Sequence, residues 1–213
     1  MRIGVLVSGS GSNLQAIIDL CKRGDIAAEI VLVLSNVPTA YGLQRAKDNA
    51  IATKVIDHKN YDNREPFDKA MIEALDDARV DLVCLAGFMR LLTPTFVNHF
   101  TGRLINIHPA LLPSFPGLHV QQQAIDAGAC FSGATIHFVD EGMDTGAIIA
   151  QAVVPVLQGD DADTLAARIL KQEHRLYPMA VRLFSENRVL LKNGRVEIVN
   201  CIQDDAAVII SHK

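Results

Sequence analysis

The chain alternates short, continuous apolar runs with stretches whose apolar positions recur three and four residues apart. Residues 3–7 (Ile-Gly-Val-Leu-Val) form the first run, the pattern of a strand buried on both faces. The polar turn Ser8-Gly9-Ser10-Gly11-Ser12-Asn13 follows, and then Leu14, Ile17, Ile18 and Cys21 return at helical spacing until Gly24. The same alternation predicts strands over 30–34, 53–56, 81–86 and 104–107, and helices over 41–50, 66–78 and 94–99. Apolar strands alternating with helices define an α/β fold: a mostly parallel, twisted sheet with helices on both faces. Ligands of such sheets bind beyond the carboxyl ends of the strands, so chemistry is sought just after each strand.

After residue 107 the pattern changes. Pro109, Pro113 and Pro116 exclude a helix or a central strand and predict a stiff apolar loop. A helix is predicted over 121–127 and strands over 135–139 and 148–154, joined by a connection too short for a parallel crossover and therefore antiparallel. Asp163 or Thr164 is expected to cap a long helix running to 184. Residues 189–191 and 195–199, around Asn193-Gly194, read as a hairpin with a type I′ turn. Residues 206–210 read as an extra edge strand or a loose tail. Without a linker or internal repeat, residues 1–213 are expected to form a single domain.

Composition narrows the class. At 213 residues, 49% apolar and 21% charged, the chain has the material for a full core. A net charge of −4 excludes a generally basic nucleic-acid binder. Cys21, Cys84, Cys130 and Cys201 are scattered, which reads as reduced thiols and a cytoplasmic protein. No apolar run is long enough for a secretory core or a membrane span. Histidines and cysteines lack metal-ligand spacing, so no metal is expected. The expected partners are small molecules, with no nucleic acid and no membrane, acting on a monomer or weak homodimer.

Three features carry candidate chemistry. The turn 8–13 joins a buried strand to a helix, and its N–H groups form an anion site. Leu14 stands where the dinucleotide fingerprint has its third glycine, and the second strand ends in Ser35-Asn36 rather than an acid, so a monophosphate fits better than a dinucleotide. Asn106 and His108, two apart on a strand, project to one face. They are either an amide–imidazole pair for acyl transfer or a satisfied pair in the sheet. Asp144, taken alone, is a turn former; beside a histidine it would orient the ring and favour the imidazolium. Thr135 and His137 share a strand face and are candidates to line the same place.

Taken together these segments resemble the folate-dependent formyltransferase family. The likeness rests on Asn106-Ile-His108-Pro-Ala-Leu-Leu-Pro-Ser-Phe-Pro-Gly117 and on Gly133-Ala-Thr-Ile-His-Phe-Val-Asp140-Glu-Gly-Met-Asp144-Thr-Gly146. The opening Ser8-to-Asn13 turn resembles the smaller branch of that family, which formylates glycinamide ribonucleotide. The resemblance implies a catalytic trio of Asn106, His108 and Asp144, and a substrate site of Gly11, Ser12, Asn13 and Glu173. It implies a 10-formyltetrahydrofolate site of Arg64, Met89, Arg90 and Leu92 together with Asn106, Asp140, Glu141, Gly142, Met143 and Asp144. On this reading a phosphate-binding half spans 1–100 and a folate and catalytic half 101–200. It further implies direct formyl transfer, in purine biosynthesis, from the folate co-substrate to the amine of 5-phosphoribosylglycinamide. The intact trio weighs against a module that only binds phosphate.

Overall fold

Both faces of the predicted strands are apolar, so each must bury two sides, and a computed structural model describing residues 1–201 shows how. Seven strands form one sheet in the order β3-β2-β1-β4-β5-β6-β7. They are β1 (Arg2–Val7), β2 (Glu29–Ser35), β3 (Thr53–Val55), β4 (Leu82–Leu85), β5 (Leu104–His108), β6 (Phe131–Phe138) and β7 (Ile148–Pro155). The first five run parallel, while β6 is antiparallel to both β5 and β7. The helices are α1 (Ser12–Lys22), α2 (Tyr41–Asp48), α3 (Arg64–Asp77), α4 (Pro94–His99), α5 (Val120–Asp126) and α6 (Ala162–Ser185).

Successive side chains of a strand point to opposite faces, and the core divides accordingly. Ile3, Val5 and Val7 of β1 join Leu14, Ile17 and Ile18 of α1 and Leu165, Ile169 and Tyr177 of α6 in one cluster. Leu6 of β1, with Val83 and Leu85 of β4, faces the other way, onto Phe67 and Met71 of α3 and Phe96 of α4. The chain departs to one side of β1 through β2 and β3 and returns to its other side with β4. That reversal opens a crevice between the loops after β1 and β4, where doubly wound sheets bind ligands.

Three predicted boundaries need correction. β6 begins at Phe131 rather than residue 135. Ser132-Gly133 reads as a turn in sequence, but β7 runs so close that a Cβ on Gly133 would lie 1.9 Å from Ala152 O, and only glycine fits there. The cap of α6 is Asp161, not Asp163 or Thr164. Thr164 is instead the third helical residue of a capping box: its N–H donates to Asp161 Oδ1 at 2.8 Å and its hydroxyl accepts from Asp161 N–H at 2.9 Å. His58, which in sequence looks like a loop residue, opens a 3₁₀ turn, His58–Asn60, capped by Asp57. The Asn193-Gly194 hairpin forms as expected between β8 (Val189–Lys192) and β9 (Arg195–Ile198), with both turn residues at positive φ. The expected edge strand at 206–210 lies outside the described residues.

Tyr177 ties the α6 layer to the strand ends. Its hydroxyl, fully buried, lies 3.0 Å from Leu85 O and 3.4 Å from Ile105 O, carbonyls of adjacent strands. Removing that hydroxyl takes away the one proton shared between these carbonyls. Tyr177→Phe is expected to lower unfolding free energy by about 1–2 kcal/mol, read from the urea midpoint at unchanged slope.

Candidate functional site

The first predicted feature, the turn after β1, is shaped by a close approach. Gly11 sits at φ 67°, and a Cβ there would come within 2.6 Å of Gly42 Cα, so only glycine lets the turn pack on α2. Among the described residues α1 has no side-chain cap and no acid in its first turn. Its opening N–H groups, at Ser12, Asn13 and Leu14, therefore face outward at the positive end of the helix dipole. A pocket of about 460 Å³ opens beside them, with Arg45, His174, Arg175 and Arg23 on its wall. Arg45 is held there by Ser10 O at 2.9 Å and lies 4.9 Å from the centre of the Tyr41 ring. Arg45 and His174 were not found by sequence reasoning; nothing local marks Arg45, while His174 is the neighbour of a residue that was singled out.

Asn13 and Glu173 meet across this turn. Asn13 Nδ2 donates to Glu173 Oε2 at 2.7 Å, and both residues are buried. Burial pushes the Glu173 carboxyl above the usual carboxylate range, opposed by that hydrogen bond and by the charge of nearby His108. Asn13 Oδ1 is buried without a hydrogen-bond partner.

The second and third features come together at the end of β5. Asn106 pairs in register with His137, and His108 with Thr135. Their neighbours Ile105, Ile107, Ala134 and Ile136 fill the opposite, α6-side core. One face of two adjacent strand ends is thus polar, as the period of two requires. His108 Nε2 donates to Phe115 O at 2.9 Å, while Nδ1 lies 3.4 Å from Asp144 Oδ2. An imidazolium offers a proton to both oxygens; a neutral ring offers only one. Gly117 N–H donates to Asp144 Oδ2 at 2.9 Å and fixes the carboxylate.

His137 is the residue the sequence marked only by its strand face. Its Nδ1 donates to Phe138 O at 2.8 Å, and Nε2 stands 3.3 Å from Asn106 Nδ2 and 3.8 Å from Asp144 Oδ1. Burial lowers its pKa; the Phe138 carbonyl and the Asp144 charge oppose this only in part. A neutral ring with its proton on Nδ1 accepts from Asn106, so His137 sets which way the Asn106 amide points and leaves its second N–H free to donate. Thr135 fastens the proline-rich loop: it donates to Ala110 O at 2.7 Å and accepts from Leu112 N–H at 3.1 Å.

The residues assigned by resemblance to the folate site lie on loops at this same edge. Met89 and Arg90 are exposed and Leu92 half-buried on the segment between β4 and α4, and Arg64 is the exposed first residue of α3. Asp140, Glu141, Gly142 and Met143 are exposed in the β6–β7 connection, where Asp140 Oδ1 accepts from Gly142 N–H and the Thr145 hydroxyl. Met89, Leu91, Leu118 and Met143, on three neighbouring loops, are each more than half exposed. Large apolar side chains thus gather on loops around a polar strand end and form an exposed apolar patch. Leu91 and Leu118 were missed by sequence reasoning because isolated loop leucines carry no periodic signal. Among the described residues no three histidine, cysteine or acidic side chains converge to hold a metal ion, and no helix is long and apolar enough to cross a membrane.

A doubly wound sheet thus carries an amide, an imidazole and a carboxylate at one strand end, with an open helix N-terminus one crevice away. The chain belongs to the formyl transferase family, whose pattern matches residues 1–181. Phosphoribosylglycinamide formyltransferase of Escherichia coli (strain K12) is 47% identical over 189 residues, which are 89% of this chain and 89% of that protein. The trifunctional purine biosynthetic protein adenosine-3 of Drosophila melanogaster is 53% identical over 192 residues, 89% of this chain, but the chain spans only 14% of that protein's length. Among solved structures, glycinamide ribonucleotide transformylase 1 from Symbiobacterium toebii matches with a TM-score of 0.92 at 49% identity, over 94% of each chain.

The raised Glu173 pKa fixes a pH dependence. Below the ordinary carboxylate range the side chain is neutral in both folded and unfolded chains; as pH rises through the folded value, the folded state alone resists ionisation and loses stability. Ligand-free Glu173→Gln is therefore expected to melt above the wild type at about pH 8, with the gap closing toward about pH 4, in a thermal-melt series across pH.

Proposed function

We propose that the chain transfers the formyl group of 10-formyltetrahydrofolate to the amine of 5-phosphoribosylglycinamide, giving the N-formyl ribonucleotide and tetrahydrofolate. The observation that carries this reading is the Asp144 carboxylate standing between the rings of His108 and His137, with Asn106 oriented by the second ring. The whole of 1–213 acts as one domain, its phosphate-binding half before its folate half. The acceptor's phosphate lies at Gly11, Ser12 and Asn13 against the open helix end, and Glu173 takes its ribose hydroxyls. Arg64, Met89, Arg90 and Leu92 and the 140–144 connection hold the folate. The acceptor and the formyl donor are small molecules, and no metal takes part.

The amine nitrogen attacks the formyl carbon, forming the new C–N bond and moving an electron pair onto the formyl oxygen. The free N–H of Asn106 donates to that oxygen. His108 Nε2–H, which donates to Phe115 O in the ligand-free protein, donates instead to the same formyl oxygen when the substrate enters, and keeps its proton. A bond of this kind is typically looser before substrate arrives. Asp144, held by Gly117, keeps the His108 ring oriented through its Nδ1 side. The tetrahedral intermediate then collapses, the bond from the formyl carbon to the folate N10 breaks, and the amine proton passes to N10. The transfer is direct from the folate to the amine, without a covalent enzyme intermediate.

The test is a spectrophotometric assay of 10-formyltetrahydrofolate with and without the ribonucleotide. Turnover only with the ribonucleotide supports the transfer; turnover without it points to a hydrolase, and none at all overturns the reading. Asn106→Ala and His108→Ala are each expected to lower kcat by about 10²–10³-fold, with KM for both substrates changing far less.

A further inference from the structure

Ser8 opens the glycine-rich turn, yet its hydroxyl is spent away from the helix end. Oγ–H donates to Asn36 Oδ1 at 2.6 Å, and the same oxygen accepts from Met89 N–H at 2.8 Å. A serine hydroxyl has one proton. Once it is given to Asn36, the oxygen can only accept from Met89, so the amide at the end of β2 determines how the hydroxyl holds the loop after β4. Asn36 is 2% exposed, and its Nδ2 and its backbone oxygen lie 3.3 and 3.2 Å from His58 Nδ1. Ser8 N–H also donates to Gly87 O at 3.0 Å, so the loop is bonded twice to one residue.

Phe88, just before Met89, is buried in the core beside α3 and α4, and Leu92 packs against the same core, while the three residues between them are exposed. The side chain of Met89 is 68% exposed, and those of Arg90 and Leu91 are exposed as well. The loop's next fixed point along the backbone is Thr93 N–H, which donates to the buried Asp68 carboxylate at 2.6 Å. Between these two backbone bonds lie the residues that face the formyl donor on the reading given above, on which this inference rests.

We propose that Ser8 is a positioning residue for the formyl donor, acting through the Met89 backbone, and that it is not a ligand of the acceptor's phosphate. The serine that looks in sequence like part of a phosphate loop is a strut across the crevice to the other substrate's loop.

The test is steady-state kinetics with each substrate varied, together with thermal melting of each variant. Ser8→Ala is expected to raise KM for 10-formyltetrahydrofolate by about three- to tenfold, the loss of one neutral hydrogen bond. Its KM for the ribonucleotide and its kcat at saturation stay within about twofold, since neither depends on the lost bond. Asn36→Ala raises the donor KM in the same direction, and S8A/N36A is no worse than the more severe single variant, because both act through one hydroxyl. Ser8→Thr, which keeps the hydroxyl, restores the donor KM toward wild type. Should S8A fail to fold, N36A carries the same expectation. An unchanged donor KM, or a rise in ribonucleotide KM equal to or larger than that for the donor, overturns the proposal while the transfer reading stands. A wild-type chain that turns over no formyl donor overturns both.

Discussion

The polar centre of this molecule is organised by one carboxylate held between two imidazoles. Asp144 sits at φ 55°, a conformation costing a non-glycine residue about 1 kcal/mol, and the residue is kept there by what its oxygens bind. Oδ2 accepts from Gly117 N–H and faces His108, while Oδ1 faces His137. The proline-rich loop and the β6–β7 connection are joined through this one side chain. The two rings share an anion but differ in their tasks, because their surroundings differ. His137 is buried deeply enough that desolvation outweighs the carboxylate, and it serves as a neutral acceptor that orients Asn106. His108 has an oxygen opposite each nitrogen, Phe115 O at Nε2 and the Asp144 carboxylate at Nδ1, which fix its ring at the strand end.

That arrangement depends on the sheet. Asn106 and His108 share a face because they are two apart on β5, and this much was legible from sequence alone. The parallel strands, the helices between them and the antiparallel β6 and β7 were legible too, since burying both faces leaves an unmistakable run of apolar residues in β1, β2 and β4. What stayed hidden depends on partners distant in sequence. His137 acquires its role from the register that sets it opposite Asn106, 31 residues away. The start of β6 was hidden because glycine at a close strand approach has the same local appearance as glycine in a turn. The α6 cap was misplaced because Asp161, Asp163 and Thr164 are all good caps, and the choice lies in which side chain reaches which N–H.

The glycine-rich turn divides its members between two walls of the crevice. Gly11, Ser12 and Asn13 do present an open helix end beside a cationic wall. Ser8, five residues earlier, turns its hydroxyl toward β2 and the β4 loop. A strand delivers its last residues to alternate faces, so adjacent members of one turn can serve opposite walls of the crevice. The switch point is where such division is geometrically available: β1 alone has the returning chain on one side and the departing chain on the other.

Glu173 and Asn13 complete the picture from the side of stability. A buried carboxyl whose ionisation is resisted, beside an amide oxygen with no partner, is an arrangement that folding by itself disfavours. The core does not need it: Leu165, Ile169, Tyr177, Ala180 and Val181 already seal α6 onto the sheet, with Tyr177 bonded to the strand carbonyls. On the proposed function, these two acceptors at the rim of an otherwise apolar layer meet the ribose hydroxyls of the acceptor, whose phosphate lies at the neighbouring helix end. The unfavourable term in the empty protein is then recovered on binding, and an acceptor lacking those hydroxyls forfeits it. On that proposal, selectivity for a ribonucleotide over a bare phosphorylated amine follows from groups that weaken the unliganded fold.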